Sequence, residues 1–342
     1  MATERNPVAL VTGGAGFIGA HVVRAIQAAG ITVVVLDDLS GGAEDNLPEG
    51  VTFVRGSVVD HDLLARLFTA HRFRYVYHLA AYAAEGLSHF IRRFNYTNNV
   101  VGSVNVINEC IRHDVECLVF TSSIAVYGAI DPPMREDSVP RPEDPYGVAK
   151  LAVEHDLEAA HRMFGLRSVI FRPHNVYGEY QNIGDPYRNV VGIFMNQIMT
   201  GRPMSVFGDG TQRRAFSYVG DIAPAIAASA WTPAAHGRIF NIGADRDYTV
   251  LELARAVAVA MGAPDHPVVH LAARNEVREA WADHSAVAQV LGPFSVTPLD
   301  EGLARMAAWV RRVGPRTGRP FEAIELTRGL PPAWAALTAG HA

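Results

Sequence analysis

Tyr146 and Lys150 stand four residues apart in "DPYGVAK", directly behind Pro145. On a helix, that spacing puts both side chains on one face. A phenol beside an ammonium is eased toward its ionised form and can then act as a base. The same pair could equally be a packed ring and a solvated cation. Ser123, at the end of "VFTSS", adds a hydroxyl upstream. A second group of residues bears on the choice. "VALVTGGAGFIG" sets Gly13, Gly16 and Gly19 between an apolar run and a helix-like run. Glycines in that context let backbone amides approach a pyrophosphate, which the helix N-terminus stabilises. Asp37 closes the next apolar run, with Asp38 as the competitor. A carboxylate there accepts from the 2′- and 3′-hydroxyls of a ribose and repels a 2′-phosphate, which favours NAD over NADP.

These residues need a scaffold. Apolar, β-branched runs recur at 8–12, 31–37, 51–56, 74–80, 116–123 and 167–173. Their continuity fits strands buried on both faces. Helix-period segments at 17–29, 60–70, 95–113 and 146–164 alternate with them. The fold class expected is therefore α/β, a Rossmann-type doubly wound parallel sheet. Past residue 175 the rhythm changes. "HNVYGEYQNIGDPYRN" is polar and reads as a binding loop. Helices are predicted at 188–200, 221–231, 249–262 and 299–312, and short strands at 204–206, 238–241 and 267–271. The expected organisation is a dinucleotide-binding domain over 1–175, to which some later segments return. A smaller mixed α/β substrate lobe follows over 176–312, then an extended arm over 313–342 rich in Pro and Gly. Asp221 and Asp283 read as helix N-caps.

The bulk properties narrow the partners. A net charge of −5 over 342 residues argues against a nucleic-acid or membrane-surface partner, because both attract basic proteins. The two cysteines, Cys110 and Cys117, sit among apolar residues and are expected to be buried free thiols. No metal site is predicted. No apolar leader or membrane-length run is seen, so a cytoplasmic protein is expected.

"TGGAGFIG", "LDDLSGG", "YHLAA", "NNVVGS", "FTSSIAVYG", "PYGVAK", "FRPHNVYG" and "GDGTQRRAFSYVGD" follow one another along the chain. In this order they resemble the extended short-chain dehydrogenases/reductases. Among these the likeness is strongest to nucleotide-sugar epimerases and dehydratases, of the UDP-glucose 4-epimerase type. The resemblance covers roughly 8–310. It implies a Ser-Tyr-Lys catalytic set of Ser123, Tyr146 and Lys150. Further cofactor contacts would come from Phe17, Ile18, Ser40, Ser57, Val58, Leu79, Ala80, Ala81, Asn99, Ser122 and Pro173. Ser57 replaces the family's usual aspartate near the adenine. The lysine that often follows "HLAA" is missing from Tyr82, Ala83, Ala84, Glu85.

The same resemblance implies a nucleotide-sugar substrate, UDP-linked, and a homodimer made through helices 95–113 and 146–164. Asn175, Val206, Arg214 and Arg274 would contact the substrate, with Arg278 competing for the role of Arg274. Ala215 stands where the family has an aspartate. Glu85, His174 and Arg188 are candidates for sugar specificity; Glu85 would meet sugar hydroxyls, and Arg188 a uronate carboxylate. The Asp-Glu pair of the family's 4,6-dehydratases is replaced by Ile124 and Ala125. A 4-epimerase is thus expected. The alternatives are a 4-keto-sugar reductase, a uronate decarboxylase, a UDP-uronate 4-epimerase, or a non-catalytic NAD-binding regulator.

Overall fold

Apolar runs rich in β-branched and aromatic residues form strands at each of the six expected positions: β1 (Val8–Thr12), β2 (Thr32–Asp37), β3 (Thr52–Arg55), β4 (Phe73–His78), β5 (Cys117–Thr121) and β6 (Ser168–Pro173). The computed structural model describes residues 7–274, 276–293, 295–318 and 321–339. The strands pair in parallel in the order β3, β2, β1, β4, β5, β6, and Arg238–Ile242 adds a seventh beside β6. That last strand was expected in the smaller lobe. Its buried Phe240 and Ile242 instead join the core on one face of the main sheet.

Helices cover both faces. α1 (Phe17–Ala28) lies on one side; α2 (His61–Ala70) lies on the other. The expected helix 95–113 is not uniform. After a short α3 (Glu85–Ser88), α4 (Arg92–Tyr96) passes through a π-turn at Thr97–Val101 into α5 (Gly102–Arg112). α6 (Pro145–Phe164) starts sharply because Asp144 caps it, accepting from the Gly147 amide at 2.9 Å, and Pro145 occupies its first position. Gly165, with φ of 75°, ends it in the left-handed region. Cys110 and Cys117 are buried free thiols, and burial raises both.

A second lobe packs α7 (Val190–Met199), α9 (Val250–Ala260) and α11 (Leu299–Val313) around Phe194, Leu253, Leu303 and Met306. α8 (Val219–Ser229) packs against α1 on the main sheet, with α10 (Ser285–Leu291) beside it. Asp221 does not cap it. Its carboxylate accepts from the Thr297 amide and hydroxyl, both at 2.7 Å, and so ties the entry to α11. The C-terminal arm is not simply extended, since it contains a helix, Pro332–Ala339. Residues 319, 320 and 340–342 of the arm, like 1–6 of the first domain, lie outside the described residues. Among the described residues, no helix is long and apolar enough to cross a membrane.

Candidate active site

The strand order reverses between β1 and β4, and a crevice of about 540 Å³ opens at the carboxyl ends of the strands there. The glycine loop forms one wall. Gly13 has a φ of 72°, and a Cβ on it would stand 2.7 Å from the Ala80 amide. A Cβ on Gly19 would strike the Gly13 carbonyl. Only glycine lets β1, α1 and the loop after β4 approach so closely. Asp37, at the end of β2, accepts from the Ala15 amide at 3.0 Å through one oxygen and from the Leu39 amide at 2.8 Å through the other. Each oxygen keeps a lone pair for a ribose hydroxyl. Burial pushes this carboxyl up, against its backbone hydrogen bonds. The loop, the carboxylate and the crevice fit a dinucleotide whose 2′-hydroxyl is free.

The catalytic set converges on the same crevice. Gly147 permits it: a Cβ there would lie 2.6 Å from the Ala125 carbonyl, so α6 abuts the turn that follows Ser123. Tyr146 and Lys150 share one face of α6, and both are buried. The Ser123 hydroxyl lies near enough to the Tyr146 phenol to pull it down, and the Lys150 ammonium donates to the Thr121 carbonyl at 2.7 Å. Lys150 Nζ lies 5.8 Å from the centre of the Tyr146 ring. The phenol is not eased as the spacing suggested. Burial raises it above its ordinary range, and Glu85 raises it further; the Ser123 hydroxyl and Arg188 oppose this. Burial also lowers Lys150 to about 7, with Glu154 holding it up.

Glu154 went unread in the sequence although it continues the Tyr146–Lys150 spacing by one more turn. It is fully buried, accepts from the Ser122 hydroxyl, and pairs with Arg172 at 2.5 and 3.0 Å. Arg172 also donates to the Tyr127 hydroxyl, which donates to Asn241, each at 2.8 Å. Every member of this network is satisfied, which is what a buried charge requires.

Phe17, Ile18, Gly16, Asp38, Ser40, Ser57, Val58, Leu79, Ala81, Ser122 and Pro173 line the crevice with the residues above. Asn99 does not. It is turned inward, where it brackets Tyr82 through both backbone groups (2.8 and 3.1 Å) and fixes the loop after β4; its neighbour Asn98 faces the crevice.

At the substrate end, Glu85, Asn175, Arg188, Val206, Arg214 and Arg274 line the crevice. His174 does not. Its neighbours Pro173 and Asn175 face the crevice, while His174 is buried away from it. Its ring stacks on His284 at 5.0 Å, with facing nitrogens 2.8 Å apart, and His284 bonds Asp245 at 2.6 Å. Burial and His284 lower His174 to about 3. Asn175 adopts a φ of 40°, uncommon outside glycine, and its carbonyl accepts from the Ser217 amide at 3.2 Å.

Arg188 is already paired with Asp185 at 2.6 Å and lies over the Tyr82 ring, so it is a poor receptor for a uronate carboxylate. Between Arg274 and Arg278, the crevice is faced by Arg274. Glu276, missed in the sequence, bonds Arg274 at 3.1 Å and lies 3.9 Å from Arg214. Arg214 also donates to the carbonyls of Arg213 (2.8 Å), Arg278 (2.9 Å) and Val277. Glu85 opens onto the crevice between protein walls. Desolvation, then the charge of Asp144, pushes its carboxyl up to about 7, while Arg214 and Arg274 pull it down.

Known proteins resemble this chain in sequence and in fold. Residues 9–243 match the model of the NAD dependent epimerase/dehydratase family. A UDP-glucose 4-epimerase of Mycolicibacterium smegmatis is 35% identical over 311 residues, spanning 88% of this chain and 98% of that protein. The crystal structure of a UDP-glucose 4-epimerase of Thermotoga maritima with UDP-glucose superposes with a TM-score of 0.83 at 33% identity, covering 90% of this chain and 99% of that one. A dTDP-glucose 4,6-dehydratase from Streptomyces venezuelae, solved with NAD, gives 0.83 at 29% identity over 89% and 97% of the two chains. On the match over residues 9–243 and the identity over most of its length, this chain belongs to the NAD dependent epimerase/dehydratase family.

Proposed function

We propose that the protein is an NAD-dependent nucleotide-sugar 4-epimerase acting on a UDP-hexose. The observation that carries this reading is the convergence of Ser123, Tyr146 and Lys150 on the glycine-loop crevice, with only Ile124 and Ala125 at the positions where the related dehydratases have an acid and a base. Lacking those groups, elimination of water has no general catalyst there. The relatives named for UDP-glucose support the choice of nucleotide.

NAD, when bound, supplies a hydride acceptor at the sugar carbon that later serves as donor, and its positive ring adds charge that favours the phenolate. Tyr146 takes the proton of the C4 hydroxyl as the C4 hydride departs. Ser123 holds that oxygen through its change from alcohol to carbonyl. The crevice leaves a 4-keto sugar room to turn over, and Tyr146 would return the proton to the C4 oxygen once the opposite face of C4 is presented to the cofactor. Atoms and electrons balance with no net change in the cofactor. Lys150, fixed by the Thr121 carbonyl, holds the nicotinamide ribose and keeps positive charge behind the phenol. Arg214 and Arg274 take the diphosphate, whose oxygens suit their planar donors. Nucleotide entry then replaces the carboxylate of Glu276 beside them.

We place the dimer contact on α5 and α6. Val101 and Val148 lie exposed beside or on these helices, which supports that reading. The functional test adds no cofactor. Purified protein is incubated with a panel of nucleotide sugars and C4 configuration is read by proton NMR. Conversion of a UDP-hexose is expected; a requirement for stoichiometric added NADH would instead identify a reductase.

A further inference from the structure

The arm that follows α11 is built onto the substrate end of the crevice. It leaves the second lobe at Arg316, whose backbone amide and carbonyl are both bonded by the Asn196 side chain at 3.0 and 2.8 Å. Further on, the Glu325 carboxylate accepts from the amides of Arg93 (2.8 Å) and Phe94 (2.9 Å), the opening turn of α4. Those amides have no partner within the helix, and a carboxylate suits that end of it. The Glu325 and Leu326 amides donate back to the Phe90 carbonyl.

Trp334 is the single buried side chain among described residues 321–337, at 3% exposure. It lies behind the crevice wall. Its ring packs edge-on against Tyr187 (5.4 Å) and Phe207 (6.3 Å), and the Arg274 guanidinium lies 5.9 Å from it. Phe207 takes the same guanidinium at 4.6 Å. A Cβ on Gly86 would stand 3.0 Å from the indole, so the turn that carries Glu85 sits directly on this ring. Tyr187, Phe207, Arg274 and Gly86 all line the crevice, whereas the indole itself does not.

We propose that Trp334 is a positioning residue for the nucleotide-sugar end: the C-terminal arm, through this one ring, holds Arg274 and the Glu85–Gly86 turn in place for the diphosphate and the sugar. The inference rests on the nucleotide-sugar reading above. Two aromatic rings against one guanidinium restrict it without using its hydrogen-bond donors, so among the described residues a diphosphate has only the Glu276 carboxylate to displace from Arg274. Among the described residues, no hydrogen bond or ion pair joins the arm to the glycine loop or Asp37, so dinucleotide retention is expected to be independent of it.

The test uses full-length protein, Trp334→Ala and Trp334→Phe, with UDP binding by calorimetry, NAD content by absorbance, and KM and kcat with UDP-glucose. Trp334→Ala is expected to weaken UDP binding and raise KM by about tenfold, with NAD content unchanged and kcat within about twofold. Trp334→Phe keeps an aromatic face and should stay within about threefold of wild type. A folded Trp334→Ala protein with unaltered UDP affinity overturns the inference, as does parallel loss of UDP and NAD. Should Trp334→Ala fail to fold, Glu325→Ala decides: it leaves the indole but unfastens the arm from α4, and unchanged UDP affinity in it overturns the inference equally. Wild-type protein that binds NAD but no UDP contradicts the functional reading and this inference with it. Wild-type UDP binding that is indifferent to the arm variants contradicts this inference alone.

Discussion

The two ends of the crevice are built by opposite means. At the dinucleotide end, the functional groups stand on strand ends and one long helix, and behind them lies a buried network in which Glu154, Arg172, Tyr127 and Asn241 satisfy one another. At the substrate end, the groups come from short elements and the loops between them: Glu85 opens the four-residue α3, Arg214 lies in the three-residue strand Arg213–Ala215, and Arg188 and Arg274 lie in loops. Arg188 is paired with Asp185, Arg274 with Glu276, and Glu85 looks across at both Arg214 and Arg274. The first end is rigid because exchanging any partner would strand a buried charge. The second is a set of charges whose arginines are already partnered and must exchange partners when a diphosphate enters. One end is suited to holding a reaction fixed, the other to being altered for a different sugar.

Substitutions separate the two. Tyr146→Phe should lower kcat by about 10²–10⁴-fold, the range of a lost acid-base group, with NAD content unchanged by absorbance. Arg172→Met leaves Glu154 charged and alone in the core, and should cost about 3–5 kcal/mol in guanidinium denaturation, most of it recovered when Glu154→Leu is added. If the double variant were as unstable as the single one, the network would not be the reason for the rigidity. At the other end, Arg274→Met should weaken UDP binding by roughly ten- to hundredfold, as expected for lost charge-assisted hydrogen bonds, while thermal stability stays near that of wild type.

The smallest effect is a pH dependence. Glu85, raised to about 7 in the folded protein from an ordinary 4.5, is neutral at low pH and gains charge as pH rises through 7. A raised carboxyl contributes stability that is fully present below its unfolded pKa and is lost as pH climbs through the folded one. The same ionisation puts negative charge beside the diphosphate site and opposes the Tyr146 phenolate. UDP binding should therefore weaken from pH 6 to 8, and Glu85→Gln should flatten that slope in calorimetry. An identical slope in the variant would assign the titration to another group.

The contrast between the ends also decides what could be read in advance. The glycine loop, Asp37 and the Tyr146–Lys150 face follow local periodicity, which the strand and helix geometry preserves. Glu154 obeyed the same helical spacing but was overlooked, because its partner Arg172 arrives from β6 and only the sheet brings them together. Asn99 fixes the loop after β4 as expected, although its side chain does not reach the crevice, whereas His174 turns from the crevice to His284, a partner that only the fold brings near. Glu276, the choice of Arg274 over Arg278, and the placement of Trp334 depend on how loops and the arm fold back, for which no period exists. Lys150 was expected to act on Tyr146 directly; burial, which spacing does not report, outweighs it.

The most direct measurement of the central proposition uses UDP-glucose deuterated at C4, incubated with Tyr146-intact protein and no added cofactor. The account predicts an equilibrium mixture of C4 epimers by NMR, with deuterium retained at C4 in both. Label lost to solvent, or conversion without inversion at C4, would contradict it.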